Sequence, residues 1–418
     1  MHRASRPLPF VLLALIGALA LPPAGLGARA QSPQPAAGPP PVVEEVSRLV
    51  SRHLYDPELA RRVWPDARAA HAADLPADAP LEQIDEAIAA MLAELGVSHT
   101  GRYLPGEVAY YELLDIFARD EFEPQLEEMF EDGEVAYTGI GVVPRREGGR
   151  TFLAGVYHGG PAERAGLLTG DEIVSADGAP FDPIASFAGK EGRGVALEVR
   201  REAGGPTFEV EVVPERIRPN AFFLDALRAS MQVIEHEGRS FGYARVWSYA
   251  RREYHNLLIQ ELARGRLAEV DGLVLDLRGG WGGARPEYAE LFVGGGPIMT
   301  YAGRDGHERL ANFRWRRPVV VLVDAGTRSG KEVVTFGLQR QGVPVVGTRT
   351  AGALLGGRGY LLRDGSLLVI AVSDVRVEGE RLEGVGVTPD VVVPFALPYA
   401  AGADPQLEAA LAALARAS

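Results

Sequence analysis

The sequence of 418 residues has no cysteine, and its few histidines show no paired metal spacing. The chain therefore has no disulfide and no thiolate ligand. Its stability must come from burial of a core, for which a hydrophobic fraction of 46% is ample. The sequence also lacks a phosphate-binding loop and a dinucleotide fingerprint. We expect no metal and no cofactor.

Basic residues are in deficit, because 43 Lys and Arg stand against 56 Asp and Glu and give a net charge of −13. A surface this acidic repels phosphate groups. The composition therefore argues against nucleic acid and anionic membranes as partners.

Long apolar runs are rare, and the clearest one, Phe10 to Leu21, follows a basic start and precedes the small-x-small site at residues 28–30. This pattern predicts a cleaved signal peptide over residues 1–30, since the run is too short to span a membrane. An uncleaved anchor is the alternative. Cleavage removes three arginines and no acid, which takes the net charge from −13 to −16. We expect export to the periplasm or beyond, without a stable membrane span.

The chain after the signal peptide begins with a proline-rich stretch, residues 31–41, which is predicted to be a linker. From residue 42 to 135 apolar residues such as Val43 and Val46 recur at helical spacing, which predicts a helical N-terminal region. This region includes a loop, Leu95 to Leu104, directly after a helix.

Residues 136–217 change to short strands and glycine turns. The stretch Gly159 to Gly178 is typical of a short helix closed by glycine, a strand and a hairpin turn, and it resembles part of a PDZ domain. In that family successive N–H groups of one loop capture the carboxylate of a peptide C-terminus. The resemblance implies that this loop consists of Gly139, Ile140, Gly141 and Val142. His158, just before the helix, is a possible peptide contact, and a domain that serves only packing is the alternative.

Residues 218–400 alternate apolar strands with helices, which predicts an α/β core with a largely parallel, covered sheet. The predicted strands cover Phe241 to Trp247, Gly272 to Arg278, Val319 to Val323, Val343 to Gly347 and Leu367 to Val372. The predicted helices cover Arg251 to Arg264, Pro286 to Val293 and Lys331 to Arg340. Residues 401–418 are assigned to a C-terminal helix. The whole chain is thus predicted to be a multidomain α+β protein.

Ser329 is the candidate reactive residue of the core, because it lies in the turn between the strand that ends at Val323 and the following helix. A serine at such a corner is held off the sheet, beside free N–H groups that can stabilise an oxyanion. The alternative is that Ser329 simply caps the helix, as serine often does. A second glycine-rich turn, Gly279 to Gly283, follows another strand, and its backbone can approach a ligand closely.

Four motifs resemble, in order and spacing, the core of the carboxy-terminal processing (tail-specific) serine peptidases, a ClpP/crotonase-like fold. These motifs are GLVLDLRGGWGG, VVVLVDAGTRSGKE, VPVVGTRTAG and LEGVGVTPDVVV. The resemblance implies that Ser329, three residues before Glu332, is the nucleophile. It implies oxyanion donors at Gly330 and at Gly283, with Gly282 as the neighbouring candidate.

The chain departs from the Ser-Lys members of this family at Ala353, which occupies the position of their catalytic lysine. A serine hydroxyl is a poor nucleophile without a base. Lys331 is near in sequence, but residues two apart on a helix point in different directions, so we expect it to be a solvated first-turn residue.

The other candidate base is His99, because the tricorn-like branch of the family has a Ser-His pair near its N-terminus and a glutamate before the final Gly-Val-x-Pro-Asp turn. The matching residues here are Ser98, His99 and Glu383. In this reading neutral His99 takes the Ser329 proton, and Glu383 orients His99 through Ser98. The alternative for Glu383 is a solvated surface acid.

The resulting hypothesis is an exported, cofactor-free serine endopeptidase whose PDZ domain binds the C-termini of polypeptide substrates and which cuts them at Ser329. The main rival is a catalytically inactive protein on the same core that binds peptides or apolar ligands. A pure PDZ adaptor would leave most of the chain unexplained. The sequence leaves the natural substrate and the oligomeric state open.

Overall fold

The computed structural model describes residues 39–118, 120–295, 299–302, 304 and 308–417. The predicted signal peptide lies outside these residues, and so does all but the end of the predicted linker, whose last residue, Pro41, already begins the first helix. In this part of the chain no helix combines the length and the apolar character that a membrane crossing requires.

The first part of the chain is mainly helical. It contains α1 (Pro41–His53), α2 (Pro57–Ala72), α3 (Leu81–Ala93), β1 (Gly101–Tyr103), α4 (Val108–Phe117) and α5 (Glu123–Met129), with a 3-10 turn at Asp120–Phe122. The helical spacing correctly predicted the buried face, since Val43, Val46 and Ile88 are fully shielded from solvent. The expected loop after α3 supplies β1, because its backbone pairs with a strand more than 260 residues later.

The middle part is a small antiparallel unit. It contains β2 (Tyr137–Gly139), β3 (Val142–Glu147), β4 (Arg150–Val156), α6 (Pro161–Arg164), β5 (Glu172–Ala176), β6 (Ala179–Pro180), β7 (Val195–Arg200), β8 (Phe208–Val212) and β9 (Glu215–Ile217). Its sheet has the order β3-β4-β5-β7-β8, so β3 lies on an edge. The predicted short helix, strand and hairpin turn are confirmed, and Asp177 and Gly178 in the turn both have positive φ.

The last part contains the longer α/β elements. They are α7 (Pro219–Ser230), β10 (Gln232–His236), β11 (Arg239–Arg245), α8 (Arg252–Arg264), β12 (Gly272–Asp276), a 3-10 turn (Pro286–Ala289), α9 (Glu290–Val293), β13 (Met299–Ala302), β14 (Glu308–Ala311), β15 (Val319–Val323), α10 (Gly330–Arg340), β16 (Val345–Gly347), β17 (Gly356–Leu361), β18 (Leu367–Ser373), β19 (Val391–Val392) and α11 (Pro405–Ala417).

Six of these strands form one sheet in the order β10-β11-β12-β15-β16-β19, and every pairing from β11 to β19 is parallel. Side chains of β15 alternate between two cores: Val321 packs with α7 and α8 residues, and Leu322 packs with α11 residues. Both faces are therefore covered, which explains why the strand is apolar at every position. The carboxyl ends of β12 and β15 meet at one edge of this sheet, where the site lies.

The strand predicted at Leu367 to Val372 exists as β18, but the expectation that it joins the parallel sheet is wrong. It is the central strand of a separate antiparallel sheet with the order β1-β18-β17. Its alternating side chains enter two different cores, Leu368 and Ile370 beside the N-terminal helices and Val369 beside α4. Burial on both faces produced the same apolar run that a parallel strand would show.

Candidate active site

Ser329 lies in the turn that joins β15 to α10, and its backbone is strained. Its φ of 58° and ψ of −131° place a serine in a region that side chains rarely adopt. Such a conformation costs about 1–3 kcal/mol and persists only where the surroundings hold it. Asp324 holds the turn, because its Oδ1 accepts hydrogen bonds from the N–H groups of Gly279, Gly326 and Thr327 at 2.8, 2.9 and 3.0 Å.

Ser329 is the N-cap residue of α10, as the alternative interpretation of the sequence expected. The N–H of Glu332 donates to the Ser329 carbonyl oxygen at 2.8 Å, and the Ser329 N–H donates to the Ala353 carbonyl at 2.8 Å and to Glu332 Oε2 at 3.1 Å. Ser329 and Glu332 thus form a capping box, in which the Glu332 N–H lies toward the Ser329 side chain as well as toward its carbonyl oxygen. Among the described residues the Ser329 hydroxyl donates no hydrogen bond, so its proton is not committed to a partner.

Glu332 is a fully buried carboxylate that fixes the backbone beneath Ser329. It accepts hydrogen bonds from Thr350 Oγ1 at 2.5 Å, Gly352 N at 2.8 Å and Ala353 N at 2.9 Å, in addition to the Ser329 N–H. Burial raises the pKa of Glu332, and these hydrogen bonds oppose the rise. The sequence marked Glu332 only as a family feature three residues after the serine.

The glycine loop, defined as residues 279–283, packs directly on this turn. A Cβ added to Gly282 would lie 2.5 Å from Ser329 Cβ, and one added to Gly330 would lie 2.4 Å from Ala284 N. Only glycine permits backbones this close. The corresponding side of Gly283 faces Ala250 instead, with φ of 84°. Of the predicted oxyanion residues, Gly330 follows Ser329 directly and Gly282 contacts it, whereas the contacts of Gly283 are with Ala250.

Ser98, His99 and Glu383 form a hydrogen-bonded chain, although 284 positions separate His99 from Glu383. Ser98 Oγ lies 2.9 Å from His99 Nδ1 and donates to Glu383 Oε2 at 2.9 Å, while the Ser98 N–H donates to Glu383 Oε1 at 2.9 Å. Glu383 Oε2 also accepts from Leu354 N at 2.7 Å. The expectation that these three residues meet agrees with this geometry, and Glu383 is not a solvated surface acid.

The hydrogen bonds assign the tautomer of His99. Ser98 Oγ has one proton and gives it to Glu383, so it accepts a hydrogen bond from protonated Nδ1 and leaves the lone pair of Nε2 free. Burial lowers the pKa of His99, the Glu383 carboxylate opposes this, and Arg328 lowers it further. His99 also has a left-handed backbone, with φ of 52°. Within the described chain, no hydrogen bond joins its ring to Ser329 Oγ.

Lys331 differs from the expectation of a solvated residue. It is fully buried, and its Nζ donates to the carbonyl oxygens of Gly279 at 2.9 Å and Trp247 at 3.2 Å. Burial lowers the pKa of Lys331 to about 7. The side chain points into the sheet edge and supports the glycine loop, so the expectation that it is badly placed to reach Ser329 Oγ is consistent with its contacts.

The predicted carboxylate-binding loop connects β2 to the edge strand β3. Gly139 ends β2, Val142 begins β3, and Gly141 between them has φ of 71°. The carbonyl of Ile140 accepts from Ala162 N at 2.9 Å. The ring of Phe222 touches this loop, since a Cβ on Gly141 would lie 2.7 Å from it.

A cavity of about 1000 Å³ joins the edge strand β3 to the glycine loop and Arg328. Its wall includes His158, whose pKa burial lowers to about 4. Glu112 of α4, which the sequence did not suggest, also lines it and accepts hydrogen bonds from Tyr157 Oη at 2.7 Å and Trp281 Nε1 at 2.6 Å. Burial raises the pKa of Glu112 to about 7, and both hydrogen bonds oppose the rise.

A mixed fold of helices and sheets that carries a strained serine, a hydrogen-bonded histidine and a close glycine loop has the parts that covalent hydrolysis by a serine requires. In the described ranges, no group of three or more histidine or carboxylate side chains is arranged to hold a metal ion.

Comparison with known proteins finds a matching family model and curated relatives. Residues 240–393 match peptidase family S41. Carboxy-terminal processing protease CtpB of Bacillus subtilis is 23% identical over 290 residues, which cover 65% of this chain and 58% of that protein. Carboxyl-terminal-processing peptidase 1 of Arabidopsis thaliana is 28% identical over 329 residues, which cover 73% of this chain and 61% of that protein. The chain thus spans less than two thirds of these relatives.

A solved structure of tricorn protease aligns with a TM-score of 0.50 and 20% identity, over 90% of this chain and 36% of that one. This likeness concerns the fold alone. Residues 240–393 carry a peptidase S41 domain, and the relatives named above are carboxy-terminal processing proteases, so the resemblance predicted from the motifs is confirmed.

Proposed function

We propose that this protein is a serine endopeptidase that hydrolyses peptide bonds at Ser329. The observation that carries the proposal is the chain from Glu383 through Ser98 to His99, which leaves Nε2 unprotonated. This chain and Ser329 are held by one segment, because Leu354 N donates to Glu383 and the carbonyl of Ala353 accepts from the Ser329 N–H. The S41 match and the names of the relatives support the same reaction class.

In the proposed mechanism His99 Nε2 accepts the proton of Ser329 Oγ as the oxygen attacks the substrate carbonyl. The N–H groups of Gly330 and of Gly282 or Gly283 stabilise the oxyanion. The imidazolium then protonates the leaving amine, and water releases the acyl group by the reverse sequence. Ser98 and Glu383 position the imidazole and stabilise its charge.

We further propose that residues 136–217 are a PDZ domain that binds the substrate C-terminus at Gly139 to Val142. The support is the edge position of β3, which can pair with an extended peptide, and the cavity that leads from β3 to the glycine loop. Residues 42–135, 218–400 and 401–418 are the proposed helical region, protease core and terminal helix. Export rests on the sequence of residues 1–30 alone.

The test is hydrolysis of an unstructured fluorogenic polypeptide by the wild type, by Ser329→Ala and by the control Ser175→Ala, which changes a serine of the distant β5. We expect Ser329→Ala to lose turnover by at least about 10³-fold with an unchanged far-ultraviolet spectrum, because the nucleophile is removed. Undiminished turnover in Ser329→Ala would contradict the assignment of Ser329 as the nucleophile.

The rival, a protein that binds peptides without cutting them, is favoured by Ala353 in the place of the usual lysine and by the absence, among the described contacts, of a hydrogen bond from Ser329 Oγ to His99. It predicts that purified wild-type protein binds the polypeptide but leaves it intact over many hours.

A further inference from the structure

The cavity between β3 and the glycine loop is lined by charged groups of both signs, which differ in how far their hydrogen-bonding capacity is used. Its carboxylates are each engaged by hydrogen bonds from neighbouring backbone or side-chain groups. These carboxylates belong to Glu107, Glu112, Glu163, Asp182, Asp324 and Asp404. Two of the arginines in the wall are also paired, Arg278 with Asp276 and Arg145 with Glu147. The other two are not balanced in this way.

Arg328 directly precedes Ser329 and lines the cavity. Its guanidinium carbon lies 5.5 Å from the ring centre of Trp281, in the glycine loop. Its Nε is buried without a hydrogen-bond partner, and in the part of the chain that the structure describes no acid forms an ion pair with it. A guanidinium beside the reacting serine therefore has unused donors.

Arg245 lines the same cavity and lies over Trp247, with 3.7 Å from its guanidinium carbon to the ring centre. Its Nε is also buried without a hydrogen bond. The nearest acid, Asp276, is 3.9 Å away and is already held by Arg278 at 2.6 Å and by Tyr243 Oη at 2.7 Å. Arg245 thus adds a second positive charge with unfilled donors.

We infer that Arg328 and Arg245 form a carboxylate-binding subsite that selects polypeptide substrates with a negative charge beside the cleaved bond. A carboxylate that enters the cavity they share would supply acceptors of the kind each guanidinium group lacks, and the planar fork of arginine matches it. The wall as a whole carries more carboxylates than arginines, so the attraction is confined to the immediate surroundings of these guanidinium groups, whose donors are not filled. The inference rests on the proposed function.

The carboxylate has two possible sources, an acidic side chain near the cleaved bond or the free C-terminus of the substrate. Both are tested with one peptide series that places Glu or Gln at each of the three positions on either side of the cleaved bond, with the terminus as acid or amide. The readout is the ratio of kcat/KM between each charged peptide and its neutral partner.

We expect the wild type to prefer one carboxylate position by about tenfold or more, since a charge-assisted hydrogen bond is worth about 1.5–3 kcal/mol. Arg328→Met keeps a side chain over Trp281 but removes the charge, and it should bring the ratio close to one. The matched control is Arg340→Met, which changes an arginine over the ring of Phe336 outside the cavity and should keep the wild-type ratio.

Binding to Ser329→Ala, measured by fluorescence anisotropy with the same peptides, separates this inference from the proposed function. If Ser329→Ala binds the charged peptide more tightly than its neutral partner, and the double variant Ser329→Ala/Arg328→Met does not, the subsite is supported even if the wild type cuts nothing. Equal Kd values for charged and neutral peptides, or a preference that survives Arg328→Met, overturn the subsite whatever the catalytic result.

Discussion

The imidazole of His99 can act as a base only while Nε2 is unprotonated, and its surroundings favour that form. Burial lowers the pKa of His99 below 6.5, so protonation is displaced toward acid pH. We expect kcat/KM to be constant at neutral pH and to fall through an acid limb with an apparent pKa below 6.5. A profile of kcat/KM from pH 4 to pH 8 measures this apparent pKa. A value above 6.5 contradicts the prediction.

Glu383→Gln tests the same group in a second way. The Glu383 carboxylate raises the pKa of His99 against the effect of burial, so its neutralisation should move the acid limb further toward low pH. The rate on the plateau should also fall by about 10²-fold or more, because Ser98 would lose its ionised acceptor. A variant that loses rate without moving the limb would show a merely structural role for Glu383.

Residue by residue, the sequence predicted some partners well and missed others. The trio of Ser98, His99 and Glu383 followed from a family resemblance and agrees with the hydrogen bonds. The burial of Lys331 was missed because its partners are carbonyl groups 52 and 84 positions away, which no local pattern shows. Glu112 was missed for the same reason, since its donors come from two distant segments.

Among the secondary-structure elements, the unit of β15, turn and α10 depends on Glu332 at the first turn of the helix. Glu332→Gln replaces one acceptor oxygen with an amide donor that would face N–H groups. We expect the free energy of unfolding to fall by about 1–3 kcal/mol, as for an unsatisfied buried group, and peptidase turnover to fall because the backbone under Ser329 shifts.

Urea unfolding monitored by circular dichroism measures the change in Glu332→Gln. Glu378→Gln is the matched control, since Glu378 is an exposed acid that pairs with Arg340 of the same helix at 3.6 Å. Equal stability losses in the two variants would contradict the assigned role of Glu332.

The spacing of apolar residues in the sequence predicted some secondary-structure elements but not their neighbours in the sheets. Val319–Val323 and the helix after Ser329 were predicted within one residue, because a covered parallel strand and an amphipathic helix each leave a distinct pattern. The place of β18 could not be predicted, since an apolar run records burial on both faces and not the identity of the neighbouring strand. The pairing of β1 with β18 depends on the same long-range choice.

For the molecule as a whole, buried Lys331 predicts how stability depends on pH. A free lysine has a pKa of about 10.4, and burial lowers the pKa of Lys331 to about 7. Between these values the unfolded chain binds more protons, so the free energy of unfolding should rise with pH, by up to about 1.4 kcal/mol per pH unit. Below pH 7 the contribution of Lys331 to the free energy of unfolding no longer depends on pH, because the lysine is protonated in both states.

Lys331→Met removes that titration, so its stability curve between pH 7.5 and 9 should be flatter than the wild-type curve by up to that slope. Urea unfolding at four pH values gives both curves. Lys190→Met, which changes a partly exposed lysine, is the control and should keep the wild-type slope. Parallel curves for wild type and Lys331→Met contradict the burial of a titrating lysine.

The central claim is that Ser329 is activated by His99, and labelling with a fluorophosphonate tests it most directly. We predict that the wild type is modified at Ser329, as mapped by mass spectrometry, and that His99→Ala is modified at least about 10²-fold more slowly while Lys331→Ala, if folded, keeps measurable labelling. The absence of any label on wild-type Ser329, or equal labelling rates in the wild type and His99→Ala, contradicts the account.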